Sequence, residues 1–197
     1  MGTGERLVEA ASALLDAGGE AAVTLRAVAQ AVGVSHNTPY RHFDDRAALL
    51  AGVATRDFEA FSETFSDIAM SSRTPIDKVK AALEALIIYG EAHPARYRLL
   101  FSDPAIAAVG GRLETAALAT FAAFSKFVAD AQVAGELPPL STATLTGLIY
   151  AAVHGLLDLR AGGRMRKEKG FSTVVEGTSL LLKLIAPAGK ARSSEDR

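Results

Sequence analysis

The segment GVSHNTPYRHF, residues 33–43, gathers side chains suited to hydrogen bonding along an extended polar partner. His36, Asn37 and Thr38 stand in a row, and Asn37 is the only asparagine in the chain. A carboxamide pairs bidentately with adenine. A threonine hydroxyl donates or accepts at base edges, and its methyl can meet that of thymine. Tyr40, His42 and Arg46 follow at positions suited to a phosphate backbone, as is the Thr24 hydroxyl upstream. Between residues 24 and 43 lie Arg26, Arg41 and two histidines, and no acid.

Taken singly, each of these residues has a plainer reading. His36 fits an ordinary surface position, Asn37 a helix start, and Arg26 an ion pair with Glu20. Their joint placement carries the weight. Catalytic alternatives find little support. The four histidines are 36, 42, 93 and 154, and none has a glutamate three residues earlier, as a di-iron bundle site requires. No GxGxxG, phosphate-binding loop or HExxH occurs. With no cysteine, disulfides, thiolate catalysis and cysteine-ligated zinc are excluded. No metal and no cofactor is expected.

The net charge of −1 does not announce a polyanionic partner, and the first 50 residues hold four arginines against six acids. The distribution is more informative than the sum, because the acids lie outside the 24–43 window. At 49% hydrophobic and 22% charged residues, the chain can bury a sizeable core. Its start, MGTGERLVEAASALLDAGG, lacks the features of a signal peptide. Residues 137–157 carry no formal charge but open with Pro138-Pro139, leaving too short a run to span a bilayer comfortably. A buried helix is expected there, and a cytoplasmic protein overall.

Helical periodicity governs almost the whole chain. Leu7, Ala11 and Leu14-Leu15 repeat at helical spacing until Gly18-Gly19. Thr24 suits an N-cap for a short helix carrying Leu25, Val28, Ala29 and Val32, which Gly33 ends. The turn GVS and a second short helix complete a helix-turn-helix, whose second helix would lie in a major groove. Pro39 tests where that helix starts, since proline in a helix interior costs roughly 3 kcal/mol or more. With Ser35 as N-cap, Pro39 is the fourth helical residue and forfeits one hydrogen bond, and Val34 can staple against it. With Thr38 as N-cap, Pro39 takes the favoured first position and His36-Asn37 belong to the turn. The first register is the one expected. Further helices are expected from about Asp44-Asp45, from Pro75, over ARYRLLF, from Pro104 to Gly135, over 141–160 and over about 171–186. A basic loop, AGGRMRKEKG, separates the last two.

Residues 24–53, TLRAVAQAVGVSHNTPYRHFDDRAALLAGV, resemble the N-terminal DNA-binding domain of TetR-type bacterial transcription regulators. The likeness lies in the threonine, the small-residue helix, Gly-Val-Ser, Tyr-x-His-Phe and the charged step into the next helix. It implies a homodimer on palindromic double-stranded DNA, released by a small-molecule effector. It also implies base contacts from His36, Asn37 and Thr38, and phosphate contacts from Thr24, Tyr40, His42 and Arg46. The family usually has lysine where Arg46 stands. HPARYRLLF at 93–101 and VHGLLDL at 153–159 resemble a subgroup with a Trp-His-Gly motif, although Val153 replaces the tryptophan.

In the C-terminal half, Gly147, Ala151 and Gly155 form a small-residue stripe, and Val174, Thr178, Leu181 and Ile185 a second face. Two such helices from each of two chains would build a four-helix dimer interface. The alternative is packing within one chain. Phe61, Phe65, Tyr89, Phe101, Phe121 and Phe124 are candidate pocket residues, with Tyr97, Tyr150 and His154 for polar contacts. Such a set is core in most helical proteins; as a pocket it favours a mainly hydrophobic ligand.

The expectation is an all-α protein of about nine helices. A helix-turn-helix domain would occupy 1–47, a ligand-binding and dimerisation domain 48–187, and a disordered tail 188–197. The expected function is ligand-responsive repression of transcription, without enzymatic activity. The rivals are a helical-bundle enzyme and a protein-binding module whose helix-turn-helix no longer binds DNA.

Overall fold

The computed structural model of the chain describes residues 1–187; the tail expected over 188–197 lies outside them. Among the described residues there are nine α-helices and no strand. They are α1 (Thr3–Gly18), α2 (Leu25–Val32), α3 (Arg46–Met70), α4 (Pro75–Ala92), α5 (Pro94–Phe101), α6 (Pro104–Ala107), α7 (Gly111–Val133), α8 (Thr142–Ala161) and α9 (Val174–Ile185). The described residues form two compact units, 1–63 with 92–120, and 64–91 with 121–187. Residue 47, where the boundary is expected, lies within the first unit, and α3 runs through both units.

In the first unit, α1 buries Leu7, Ala11 and Leu15, α2 buries Leu25, Val28 and Ala29, and α3 buries Leu49 and Val53. Each large aliphatic side chain removed from water stabilises by about 1.5–3 kcal/mol. The helix ends are closed by specific groups. Thr24 Oγ1 accepts from the Ala27 N–H at 3.0 Å, and Asp45 Oδ1 accepts from the Ala48 N–H at 2.8 Å. At the end of α2, Gly33 adopts φ 74°, a left-handed conformation, so the Val34 N–H reaches the Ala29 carbonyl at 3.0 Å.

Arg96 on α5 joins three helices of this unit. Its Nε donates to Asp16 Oδ1 of α1 at 3.0 Å, and its Nη1 to Asp57 Oδ1 of α3 at 3.1 Å. Asp57 is only 5% exposed. His93 Nδ1 lies 2.9 Å from Asp16 Oδ2 and completes the cluster.

In the second unit, Val79, Leu83 and Ile87 of α4 share a core with Phe124 and Val128 of α7, Leu145, Ile149 and Val153 of α8, and Val174 and Leu182 of α9. Gln132 holds the ELPPL connector: its Nε2 donates to the Pro138 and Leu140 carbonyls at 2.8 Å each, and its Oε1 accepts from Thr142 Oγ1 at 2.7 Å. Gly177 permits close approach of α9 to α8, since a Cβ there would lie 3.0 Å from Leu156 Cδ2. Among the described residues, α8 is the one helix long and apolar enough to cross a membrane. It buries Leu145, Ile149, Val153 and Leu157, as a helix of a packed bundle does.

The number of helices agrees with expectation, but two of its members differ. The helix expected from Pro104 to Gly135 is divided into α6 and α7, because Gly110 and Gly111 take φ of 70° and 62°. The short helix expected after the GVS turn is not an α-helix, as described below.

The Arg96 cluster yields a prediction. Arg96→Met leaves the buried Asp57 carboxylate without its guanidinium partner. Unfolding in urea at neutral pH should show a loss of about 3–5 kcal/mol. A loss within about 0.5 kcal/mol, the range of ordinary surface substitutions, would show that the cluster does not hold the unit together.

Candidate functional site

Beyond Gly33 the backbone makes two tight turns. Ser35 opens the first: its carbonyl accepts from the Thr38 N–H at 2.9 Å and its Oγ from the Asn37 N–H at 3.3 Å. The second is a 3₁₀ turn over Pro39–Arg41, with Thr38 in the N-cap position and Pro39 first. It closes with the His42 and Phe43 N–H groups, each donating to the Pro39 carbonyl at 2.9 Å. The structure thus takes the register that was not expected. Pro39 stands where its missing N–H costs no bond, and His36-Asn37 lie in the preceding turn.

This register sorts the side chains cleanly. Pro39 is buried, anchoring the turn to the protein. His36 and Asn37 are exposed, Thr38 is half-buried, and Tyr40 is 59% exposed. Phe43 packs close to Val8 of α1 and to α3, since a Cβ on Gly52 would meet the Phe43 ring at 3.2 Å and Val8 at 3.3 Å. His42 lies over the start of α1, where a Cβ on Gly4 would come within 3.4 Å of its Nδ1. Thr24 caps α2 through its oxygen, and the same hydroxyl keeps its proton to donate outward.

Arg46 departs from its expected place. Its Nε donates to the Val23 carbonyl at 2.8 Å and its Nη2 to the Glu20 carbonyl at 2.6 Å, with the Glu20 carboxylate 3.5 Å away. In this structure the guanidinium braces the 19–23 connector against the start of α3. Arg41, which was assigned no contact, is exposed on the 3₁₀ turn beside Tyr40. Its place in the acid-free window was the available signal. The resulting surface offers a carboxamide, a phenol, two imidazoles and a guanidinium with no carboxylate among them.

The nine candidate pocket residues are divided between the two units. Phe61, Tyr97 and Phe101 belong to the first unit, and Phe65, Tyr89, Phe121, Phe124, Tyr150 and His154 to the second. Phe61, Phe65, Tyr97 and Phe124 are at most 6% exposed and serve as core. Tyr97 and Phe101 have ring centroids 5.0 Å apart, and Phe65 packs on Phe127 at 5.9 Å. A half-open cluster remains on α7 and α8. Phe121 meets Tyr150 edge-on at 5.7 Å, and Tyr150 lies 4.0 Å from His154. None of the nine lines either of two cavities of about 570 and 550 Å³, one in each unit.

The expected dimer residues divide as well. Gly147, Ala151 and Gly155 face outward on α8, and a Cβ on either glycine would meet nothing within 4 Å. Leu148 shares that face and is 59% exposed. On α9 the expected residues differ in exposure. Val174 and Thr178 are buried within the chain, while Leu181 and Ile185 are half-buried. The outward apolar residues are Val175, Leu180 and Leu184, the last 74% exposed. A helix written VVEGTSLLLKLI is apolar nearly all round, so spacing alone does not separate its two faces.

Comparison with known proteins adds the lineage of these features. Residues 7–53 match a family model described as bacterial regulatory proteins, tetR family, and residues 79–176 one described as tetracyclin repressor-like, C-terminal domain. Nucleoid occlusion factor SlmA of Vibrio vulnificus is 27% identical over 97 residues, 49% of this chain and 50% of that protein. The match thus spans about half the length of that relative. The HTH-type transcriptional repressor KstR of Mycolicibacterium smegmatis is 32% identical over 75 residues, 38% of this chain and 37% of that protein. The structure of a protein of unknown function from Rhodococcus sp. RHA1 superposes with a TM-score of 0.77 at 24% identity, covering 94% of each chain.

His154 carries a pH signature. Burial lowers its pKa from 6.5 to about 4, so it is neutral in the folded protein. The unfolded chain takes up that proton first. The His154 contribution is therefore complete above about pH 6.5 and is lost as pH falls towards 4, by about 1.4 kcal/mol per pH unit at most. His154→Leu should flatten this part of the stability profile measured by urea unfolding. An identical slope in both proteins would contradict it.

Proposed function

This chain belongs to the TetR family of bacterial regulatory proteins, and we propose that it is a ligand-responsive repressor that holds a palindromic operator as a homodimer. Members of this family are DNA-binding transcription regulators rather than enzymes. The observation that carries the reading is the exposed, acid-free surface at 36–42, set behind an N-capped helix and a left-handed Gly33. In this reading His36, Asn37 and Thr38 meet base edges in the major groove, with Asn37 the adenine reader. Thr24, Tyr40, His42 and Arg41 hold phosphates. Arg46 acts chiefly by bracing the connector, and touches phosphate only if the Glu20 contact yields.

The homodimer would use the outward face of α8, with Gly147, Leu148, Ala151 and Gly155, together with Leu180 and Leu184 of α9. Small residues let a second helix approach closely, and the exposed leucines supply apolar area to bury. A two-fold dimer matches an inverted-repeat operator. The effector would be small and mainly hydrophobic, met by the Phe121, Tyr150 and His154 cluster. Burial keeps His154 neutral, which suits an uncharged ligand. Repression is favoured over activation because a dimer seated on a promoter blocks polymerase without further machinery; the partial likeness to a named repressor supports this. Such a protein works in the cytoplasm.

Two measurements test this reading. Asn37→Ala should weaken binding to the operator by about 1–3 kcal/mol while leaving random duplex nearly unchanged. Equal loss on both would remove Asn37 from base readout, and no specific binding to any DNA from the gene's neighbourhood would end the regulator reading. Ala151→Glu places a charge at the centre of the α8 face. Sedimentation should show the dimer dissociating into folded monomers, whereas an undisturbed dimer would place the interface elsewhere.

A further inference from the structure

We propose that the basic loop between α8 and α9 is a second DNA contact, gripping the phosphate backbone independently of the helix-turn-helix. This rests on the DNA-binding reading above and adds a surface to it. Residues 160–170 hold five cations, Arg160, Arg164, Arg166, Lys167 and Lys169, against one acid, Glu168. Two of the five have structural work. Arg160 Nε lies 3.4 Å from Glu91 Oε1, and Arg164 Nη2 lies 2.6 Å from Asp158 Oδ2. Both also stand at the C-terminus of α8, where cations offset the helix dipole.

Arg166, Lys167 and Lys169 have no such explanation. All three are exposed, and among the described residues none makes an ion pair. The backbone that carries them is held in shape. The Arg164 and Met165 N–H groups donate to the Leu159 carbonyl at 2.8 and 3.2 Å, folding the loop back onto the end of α8. Residues 167–169 form one 3₁₀ turn, closed by Gly170 at φ 107°. The three cations are thus presented by an ordered turn.

The first 50 residues supply the complementary argument. Their six acids outnumber their four arginines. Arg46 is engaged by Glu20 and Val23, and Arg6 Nη2 donates to the Val32 carbonyl at 3.0 Å. That leaves Arg26 and Arg41 as the outward cations of the helix-turn-helix segment. Affinity for duplex DNA comes largely from counterions released when protein cations neutralise phosphates. A segment so poor in cations needs them from elsewhere in the chain. The Arg160–Glu91 pair roots the loop beside the end of α4. A dimer would present two such loops.

The test compares the intact protein with the triple variant Arg166→Ala, Lys167→Ala, Lys169→Ala, after sedimentation confirms that its oligomeric state is unchanged. Binding to the operator and to random duplex is measured across salt concentrations. One phosphate gripped per subunit contributes roughly 2 to the log–log salt slope of a dimer. The variant should show a slope shallower by about that much or more, with similar losses on both duplexes. Since the chain has no cysteine, Lys169→Cys also allows an iron–EDTA group to be tethered at one defined point. Hydroxyl-radical cuts at fixed operator positions are expected. An unchanged salt slope without operator cleavage would overturn the loop contact while leaving the helix-turn-helix reading intact. Failure of the unaltered protein to bind any duplex would instead overturn that reading itself.

Discussion

One guanidinium sets the arrangement on which the rest of the first unit depends. Asp57 lies almost wholly out of water on α3, and Asp16 sits near the end of α1. Arg96 satisfies both from α5. A buried carboxylate is tolerated only with such a partner, and the planar fork of arginine can bond two carboxylates at once where a lysine offers a point charge. The three helices must therefore meet at this place. The effect extends along α1, a rod of 16 residues and so roughly 24 Å long. Arg96 holds its C-terminal end. Its N-terminal end lies under His42 through Gly4, and Arg6 reaches the last residue of α2. The turn that presents His36, Asn37 and Tyr40 is thus seated on a helix whose other end is clamped by charge.

What could be read from the sequence was largely what local chemistry decides. The Thr24 cap and the Gly33 stop needed only hydrogen-bond and steric arguments, and both stand where those arguments put them. The all-helical class followed from periodicity. Pro39 was harder. Two registers were locally acceptable, and the choice falls to contacts distant in sequence, with Pro39 buried and Phe43 fitted beside Val8 and Gly52. Tertiary seating beat the preference for a longer helix. The break at Gly110 and Gly111 was legible in principle, since paired glycines weaken a helix, but the apolar spacing on either side hid it. On α9 apolar residues surround the axis, so which leucines face outward depends on where α8 lies.

Charge makes a similar point. A net of −1 and an acidic first segment argue against a polyanion partner if only sums are considered. In the structure Asp16, Glu20 and Asp45 of that segment have specific partners. Asp45 caps α3, Asp16 answers Arg96 and His93, and Glu20 faces Arg46. The segment from 36 to 42 itself carries no anion. Electrostatic attraction to DNA falls off over a Debye length of about 8–10 Å at physiological salt, so arrangement at that scale matters more than total charge.

The reading turn is also short, and its shortness constrains the whole molecule. A full recognition helix lays several side chains along a groove, whereas two tight turns expose about three suited to base edges. At roughly 1–3 kcal/mol of discrimination for each good bidentate contact, one subunit cannot select a site firmly. A second copy doubles the readout, and once the first half-site is held, the second binding step is effectively intramolecular. In the proposed dimer, the outward face of α8 would bring in that second copy. Gly147, Ala151 and Gly155 leave room where a monomer would gain nothing from it, and Leu148 and Leu184 expose apolar area that a monomer would do better to bury. On this reading a small-residue stripe in the second unit and a buried proline in the first answer one requirement. Specificity that a seven-residue turn cannot supply alone has to be assembled from two.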